Sequence, residues 1–200
     1  MFTTLKLKAV EWMMKLPWYR HLLINIIPYI RFSLYYTDMS GVKYNALNKV
    51  MQPGDVLLCI DKSKLTTMLI PGEFSHAALC VSNDGVWETS EMTHRDYTKR
   101  CLFDICKESD RVVILRPQLD KTIIDQAVDK CKSFQQAKYD IEFSLGVEAL
   151  YCSELVYESY ANNSLEADIS DLAGLGKRYI SPSGLYAARK LKIIIDSDNL

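Results

Sequence analysis

A chain of 200 residues, 48% hydrophobic and 24% charged with a formal net charge of -1, can bury one sizeable core and is short for two. The near-neutral balance gives no electrostatic basis for nucleic-acid binding. Six cysteines, at positions 59, 80, 101, 106, 131 and 152, lack metal-type pairing and read as reduced residues of a core, which favours a reducing compartment.

Residues 4–36 are rich in Leu, Ile, Met, Trp and Tyr and carry Lys6, Lys8, Lys15, Arg20 and Arg31 against Glu11 alone. Pro17 and Pro28 break this segment into short helices. Its uncharged run between His21 and Arg31 is too short to span a bilayer, and recurring charges without a clean cleavage site argue against a signal peptide. The segment therefore suits a helical cap or lid, or an element lying on a membrane surface. The expected organisation is a helical N-terminal segment over 1–42 and one catalytic domain over 43–200, located in the cytoplasm or at a membrane.

From Thr37 to Gln52 the chain reads as a polar linker. Pro53-Gly54-Asp55 turns into an apolar strand, Val56 to Ile60, and a helical turn is expected between Lys62 and Ile70. A strand from Ser75 to Val81 and another from Val86 to Ser90 flank Ser82-Asn83-Asp84-Gly85, a hairpin turn. Glu91 to Arg100 reads as an exposed loop. Arg111 to Arg116 is a buried strand, Asp120 to Gln136 an amphipathic helix capped by Asp120, and Leu191 to Ile195 a last strand. Gly174 and Gly176 mark a loop, and Pro182 opens a short helix.

Three features carry chemistry. Cys152 precedes a helical apolar pattern, Leu155, Val156 and Tyr160, so its thiol falls in a helix's first turn, where unpaired N–H groups and the dipole favour thiolate; the alternative is a small buried hydrophobe. His76 lies within the strand Phe74-Ser75-His76-Ala77-Ala78-Leu79, among small and apolar residues, and imidazole is the usual partner of a nucleophilic thiol. A third group must orient that ring. Across the hairpin, Glu88 sits inside an apolar strand and is the favoured acceptor; direct opposition places Glu91 nearer His76, and a bulge would shift either.

Together these residues resemble the circularly permuted branch of the NlpC-type papain-like superfamily, which includes lecithin:retinol acyltransferase and the YiiX/YebB-like bacterial hydrolases. The resemblance rests on Pro53-Gly54-Asp55-Val56-Leu57, Phe74-Ser75-His76-Ala77-Ala78, Trp87-Glu88-Thr89 and Tyr151-Cys152-Ser153-Glu154-Leu155-Val156, supported by Ala137-Lys138-Tyr139-Asp140 with Phe143 and by Ile180-Ser181-Pro182. The order His76, Glu88, Cys152 is that of permuted members. The resemblance implies an α+β fold with an antiparallel sheet against the nucleophile helix. It also implies Cys152 as nucleophile, His76 as base, Glu88 as orienting acceptor and no metal or cofactor. Tyr151 is a candidate for lining the site or for packing. The expected activity is cleavage or transfer at an amide, thioester or ester bond, on a peptide, isopeptide or lipid acyl substrate. The alternative is a catalytically idle binding or scaffold domain.

Overall fold

The computed structural model describes residues 16–30, 37–64, 67, 70, 72–140, 145, 149–171 and 178–200. The helix expected ahead of Pro17, residues 65, 66, 68 and 69 of the turn across 62–70, Phe143 and the Gly174–Gly176 loop lie outside the described residues.

Six strands form one antiparallel sheet: β1 (Val56–Ile60), β2 (His76–Asn83), β3 (Trp87–Thr93), β4 (Asp96–Cys101), β5 (Arg111–Pro117) and β10 (Leu191–Asp196), in the order β10-β5-β1-β2-β3-β4. The pairs β6–β7 (Lys138–Tyr139, Ala149–Leu150) and β8–β9 (Ser170–Asp171, Arg178–Tyr179) stand apart from it. Central β1 is buried along its whole length, which is why it reads as an unbroken apolar run rather than an alternating one. Its neighbours sort by parity. Val56 and Leu58, with Ala77, Leu79, Val113 and Leu115, join one core beneath the helices α4 (Lys121–Ser133), α5 (Cys152–Ser159) and α6 (Pro182–Tyr186). Leu57, Cys59, Ala78, Cys80, Val112 and Ile114 face the second core, under α2 (Gly41–Val50) and α3 (Leu102–Glu108).

Two stretches differ from the sequence reading. The expected linker 37–52 contains α2, started by Ser40, whose Oγ accepts the Lys43 N–H at 3.3 Å. Its apolar face, Tyr44, Leu47 and Met51, is narrow but packs on the sheet. The expected loop 91–100 is instead the end of β3 and the start of β4. The two are joined at His94-Arg95, and Asp96 takes a positive φ of 68°. Polar residues at these positions hid the strand pairing, because side chains from the sheet meet there as ion pairs rather than as apolar contacts.

At the N-terminal side, Pro17 occupies the first turn of α1 (Pro17–Asn25), and a 3-10 turn at Ile27–Tyr29 follows. Among the described residues no helix is long and apolar enough to cross a membrane.

Candidate active site

The sulfur of Cys152 sits where two ladders part. Between β2 and β3 the pairing runs from Asn83↔Trp87 and Ser82↔Glu88 through Cys80↔Thr89 to Leu79↔Ser90 and stops there. Ala77, two residues further, gives its N–H to the Cys152 sulfur. α5 packs across the opening from the α4 side, and its first turn adds the Ser153 N–H to the same sulfur. The helix start is anchored from beneath: Ser153 Oγ donates to the Ile180 carbonyl at 2.8 Å, and the Ile180 N–H donates to the Tyr151 hydroxyl at 2.9 Å.

His76, the first residue of β2, meets the thiol through this gap. Its Nε2 bonds Glu91 Oε2 at 2.7 Å, so Nδ1 is the ring nitrogen left to hydrogen-bond the sulfur. The ring is 27% exposed, whereas the Glu91 side chain is wholly buried. Behind Glu91, Arg100 reaches Oε1 with Nη1 at 3.4 Å and uses Nη2 to hold the Asp104 carbonyl at 2.6 Å and Glu108 at 3.2 Å. Cys152, His76, Glu91 and Arg100 thus form a line of alternating charge from the gap to the α3 side of the sheet.

The electrostatics follow from this line. Burial opposes ionisation of Cys152, but the hydrogen bond and charge of His76, with the Ala77 and Ser153 N–H groups, outweigh it and bring the thiol below its ordinary range. Burial likewise opposes charge on His76; the Glu91 carboxylate and the Cys152 sulfur overcome it and raise the ring to about 10. For Glu91, burial is overcome by His76 and then Arg100, and the carboxyl is held low. The arrangement favours a thiolate–imidazolium pair with its counter-charge buried behind it. The other buried thiols behave oppositely: burial pushes Cys80 and Cys106 up to about 12 and Cys131 to about 11.

The sequence of the chain carries the same message as its geometry. Residues 50–191 match the model of the permuted papain-like amidase enzymes, the YaeF/YiiX or C92 family. The chain belongs to this family of permuted papain-like amidases. A solved structure, described as the metalloprotein yiiX of Escherichia coli O157:H7, is similar to it with a TM-score of 0.61 and 18% identity over 72% of this chain and 96% of that one. No curated protein sequence matches. The word metalloprotein describes the E. coli protein; in this chain no group of three His, Cys, Asp or Glu side chains able to hold a metal ion gathers among the described residues.

Set against the sequence reading, the structure brings Cys152 and His76 together and leaves Glu88 out. Glu88 opposes Ser82 and Cys101, beside the turn, and its carboxylate lies 3.0 Å from Lys99 at the surface. The reason is register: β2 carries a bulge between Cys80 and Ser82, and beyond it Glu91 shares the His76 face as a diagonal neighbour, within reach of a long side chain. Tyr151 takes the packing position, the second of the two places expected for it. At 1% exposure, with its ring stacked on Tyr179 at 5.6 Å, it supports the helix start from within the core and does not line an open surface.

Arg100, Tyr179 and Ser183 escaped the sequence reading. Arg100 was hidden in a strand that resembled a loop. Burial pushes the hydroxyls of Tyr179 and Tyr139 up, and the charge of nearby Cys152 adds to it. Ser183 Oγ accepts the N–H groups of Glu73 at 2.9 Å and Phe74 at 3.2 Å, fastening the chain that leads into His76. Ser181 caps this helix by accepting the Gly184 N–H at 2.8 Å, and only the fold shows that Ser183 grips a loop 109 positions earlier.

Replacing Arg100 with methionine is expected to destabilise the fold by about 3 kcal/mol, since Glu91 stays buried with one cation fewer. Thermal unfolding followed by circular dichroism would show a midpoint lowered by roughly 6–12 °C for a chain of this size. An unchanged midpoint would show that His76 alone satisfies Glu91.

Proposed function

We propose that this amidase-family protein works through a covalent acyl-enzyme on Cys152, with His76 as acid and base and Glu91, not Glu88, as the group that orients the ring. The observation that supports this is the contiguous set of contacts from sulfur to imidazole to buried carboxylate. The thiolate attacks the carbonyl carbon of the scissile bond, and the resulting oxyanion is met by the Cys152 backbone N–H at the start of α5. His76 then gives its proton to the leaving amine, thiolate or alkoxide, which departs with the electron pair of the broken bond. In the second half, His76 takes a proton from water, or from an acceptor alcohol or amine, as that group attacks the thioester and frees Cys152. Peptide or isopeptide amides and lipid acyl groups both fit this chemistry, and the family's amidase character puts amides first.

A binding or scaffold domain that kept the fold is the competing reading. Against it stands the cost of burying an ionised carboxylate in a sheet, which an apolar side chain would avoid. A site with no reaction to perform gains nothing from that expense.

A fluorescent thiol-reactive probe tests the proposal. Labelling should concentrate on Cys152. Its rate should follow an ionisation lying below the ordinary thiol range, and in His76→Ala that ionisation should move to higher pH. Turnover of an amide substrate adds a second limb. Activity needs Cys152 ionised and His76 protonated, so it should rise through the lowered thiol pKa and fall again near pH 10, where the imidazolium is lost. Slow, equal labelling of all six cysteines would defeat the mechanism.

A further inference from the structure

α1 and the turn after it carry a line of apolar side chains at intervals of three or four residues: Trp18, Leu22, Ile26, then Tyr29 and Ile30. Four of these are left uncovered, Trp18 at 63%, Ile26 at 46%, Tyr29 at 56% and Ile30 at 39% exposed. Arg20, His21 and Asn25 are the polar residues of the helix, which also contains Pro17, Tyr19, Leu23 and Ile24. A line of uncovered tryptophan, isoleucine and tyrosine is costly on a protein that stays in water, and it has the composition of an interfacial anchor, where aromatic rings sit at headgroup level.

Charge identifies the occupant. Residues 4–36 contain five basic side chains and one acid, although the whole chain has a net charge of -1. The segment that exposes its apolar side chains is thus net basic because it is nearly free of acids, and this pairing fits a surface that is apolar beneath and anionic above.

The segment is not free to lie anywhere. Tyr29 accepts hydrogen bonds from Arg95 Nη2 at 3.3 Å and Nε at 3.4 Å, and its ring meets His94 edge-on at 5.1 Å. His94 and Arg95 form the β3–β4 turn. The next residue, Asp96, accepts the Tyr139 N–H at 3.0 Å, and Tyr139 is near enough to Cys152 for its hydroxyl to feel the charge there. The anchor is therefore fixed to the rim of the gap that holds the thiolate.

We propose that the apolar line from Trp18 to Ile30 docks the protein on an anionic lipid surface, with the Cys152 gap held beside that surface. The docking itself does not depend on the reaction assigned to Cys152, so either can fail alone.

The test is co-sedimentation of the full-length protein with vesicles of phosphatidylcholine, with and without phosphatidylserine. Wild type should pellet with the anionic vesicles at least about tenfold more than with neutral ones, and this preference should shrink as salt rises. Trp18→Ser combined with Ile26→Ser should lose about tenfold of the binding while keeping wild-type probe labelling of Cys152, which reports an intact fold. Tyr29→Phe, which keeps the ring but gives up the hydroxyl contact with Arg95, should still bind. Equal pelleting with and without vesicles, or an unaltered double variant, overturns the proposal. So does a gel-filtration shift from dimer to monomer in the double variant, because the apolar line would then be covered by a second copy of the chain.

Discussion

Cys152→Ala is expected to lower turnover of an amide or ester substrate by about 10⁴-fold or more while leaving the protein folded. The size follows from the role: the nucleophile and its base act as a unit, and loss of either removes the covalent route, so only the background of binding and polarisation remains. The fold should survive because Cys152 contributes one small side chain at the first position of α5, whereas the helix is held by Leu155 and Val156 in the core and by the Ser153 bond to Ile180. Cys152→Ser should be nearly as inactive, since a hydroxyl has no accessible ionisation at the pH where the thiolate forms. Serine at Cys59, Cys80, Cys106 or Cys131 should reduce stability through burial of a polar group, with little effect on turnover per folded molecule. Mass spectrometry of the protein quenched during turnover should find the acyl group on Cys152 alone. Activity retained in Cys152→Ala would place the chemistry elsewhere in the molecule.

How far the sequence revealed this site depended on what surrounds each residue. Cys152 was legible because the helix behind it has an apolar face that packs in the usual way, so its first turn could be placed within a residue. His76 was legible because small and apolar neighbours left no solvent-facing explanation for it. β1 was legible as an unbroken apolar run, which the fold explains by covering both faces of the central strand. The other side of the site was not. Glu91 and Arg100 belong to adjoining strands whose polar side chains pair with one another, and a strand built that way shows neither alternation nor an apolar run. α2 was missed for a related reason: its buried face amounts to a few side chains, and the polar residues between them resemble a linker. The bulge between Cys80 and Ser82 is invisible in sequence, yet it helps set which carboxylate belongs to His76.

That choice of carboxylate yields the second large effect. Glu91→Gln should reduce turnover by about 10²- to 10⁴-fold, and Glu88→Gln should leave it within about twofold. Glutamine preserves the length and nearly the shape of Glu91, so the ring can still be held. What disappears is the negative charge that keeps His76 protonated against its own burial. His76 should then titrate lower and Cys152 higher, because the thiolate has lost a reliably charged partner. The rising limb of the pH–rate profile should move towards alkaline pH and the falling limb towards acid pH, so that the active window narrows from both sides. Glu88, on the surface beside Lys99, has no route to that ring. Glu91→Asp offers a finer comparison: it retains the charge but withdraws the carboxylate by one methylene, so it should keep a wider pH window than Glu91→Gln even if turnover falls as far. If Glu88→Gln proved the more damaging of the two, the β2–β3 register in solution would have to differ from the one that aligns Leu79 with Ser90, and the line from thiolate to Arg100 would not exist.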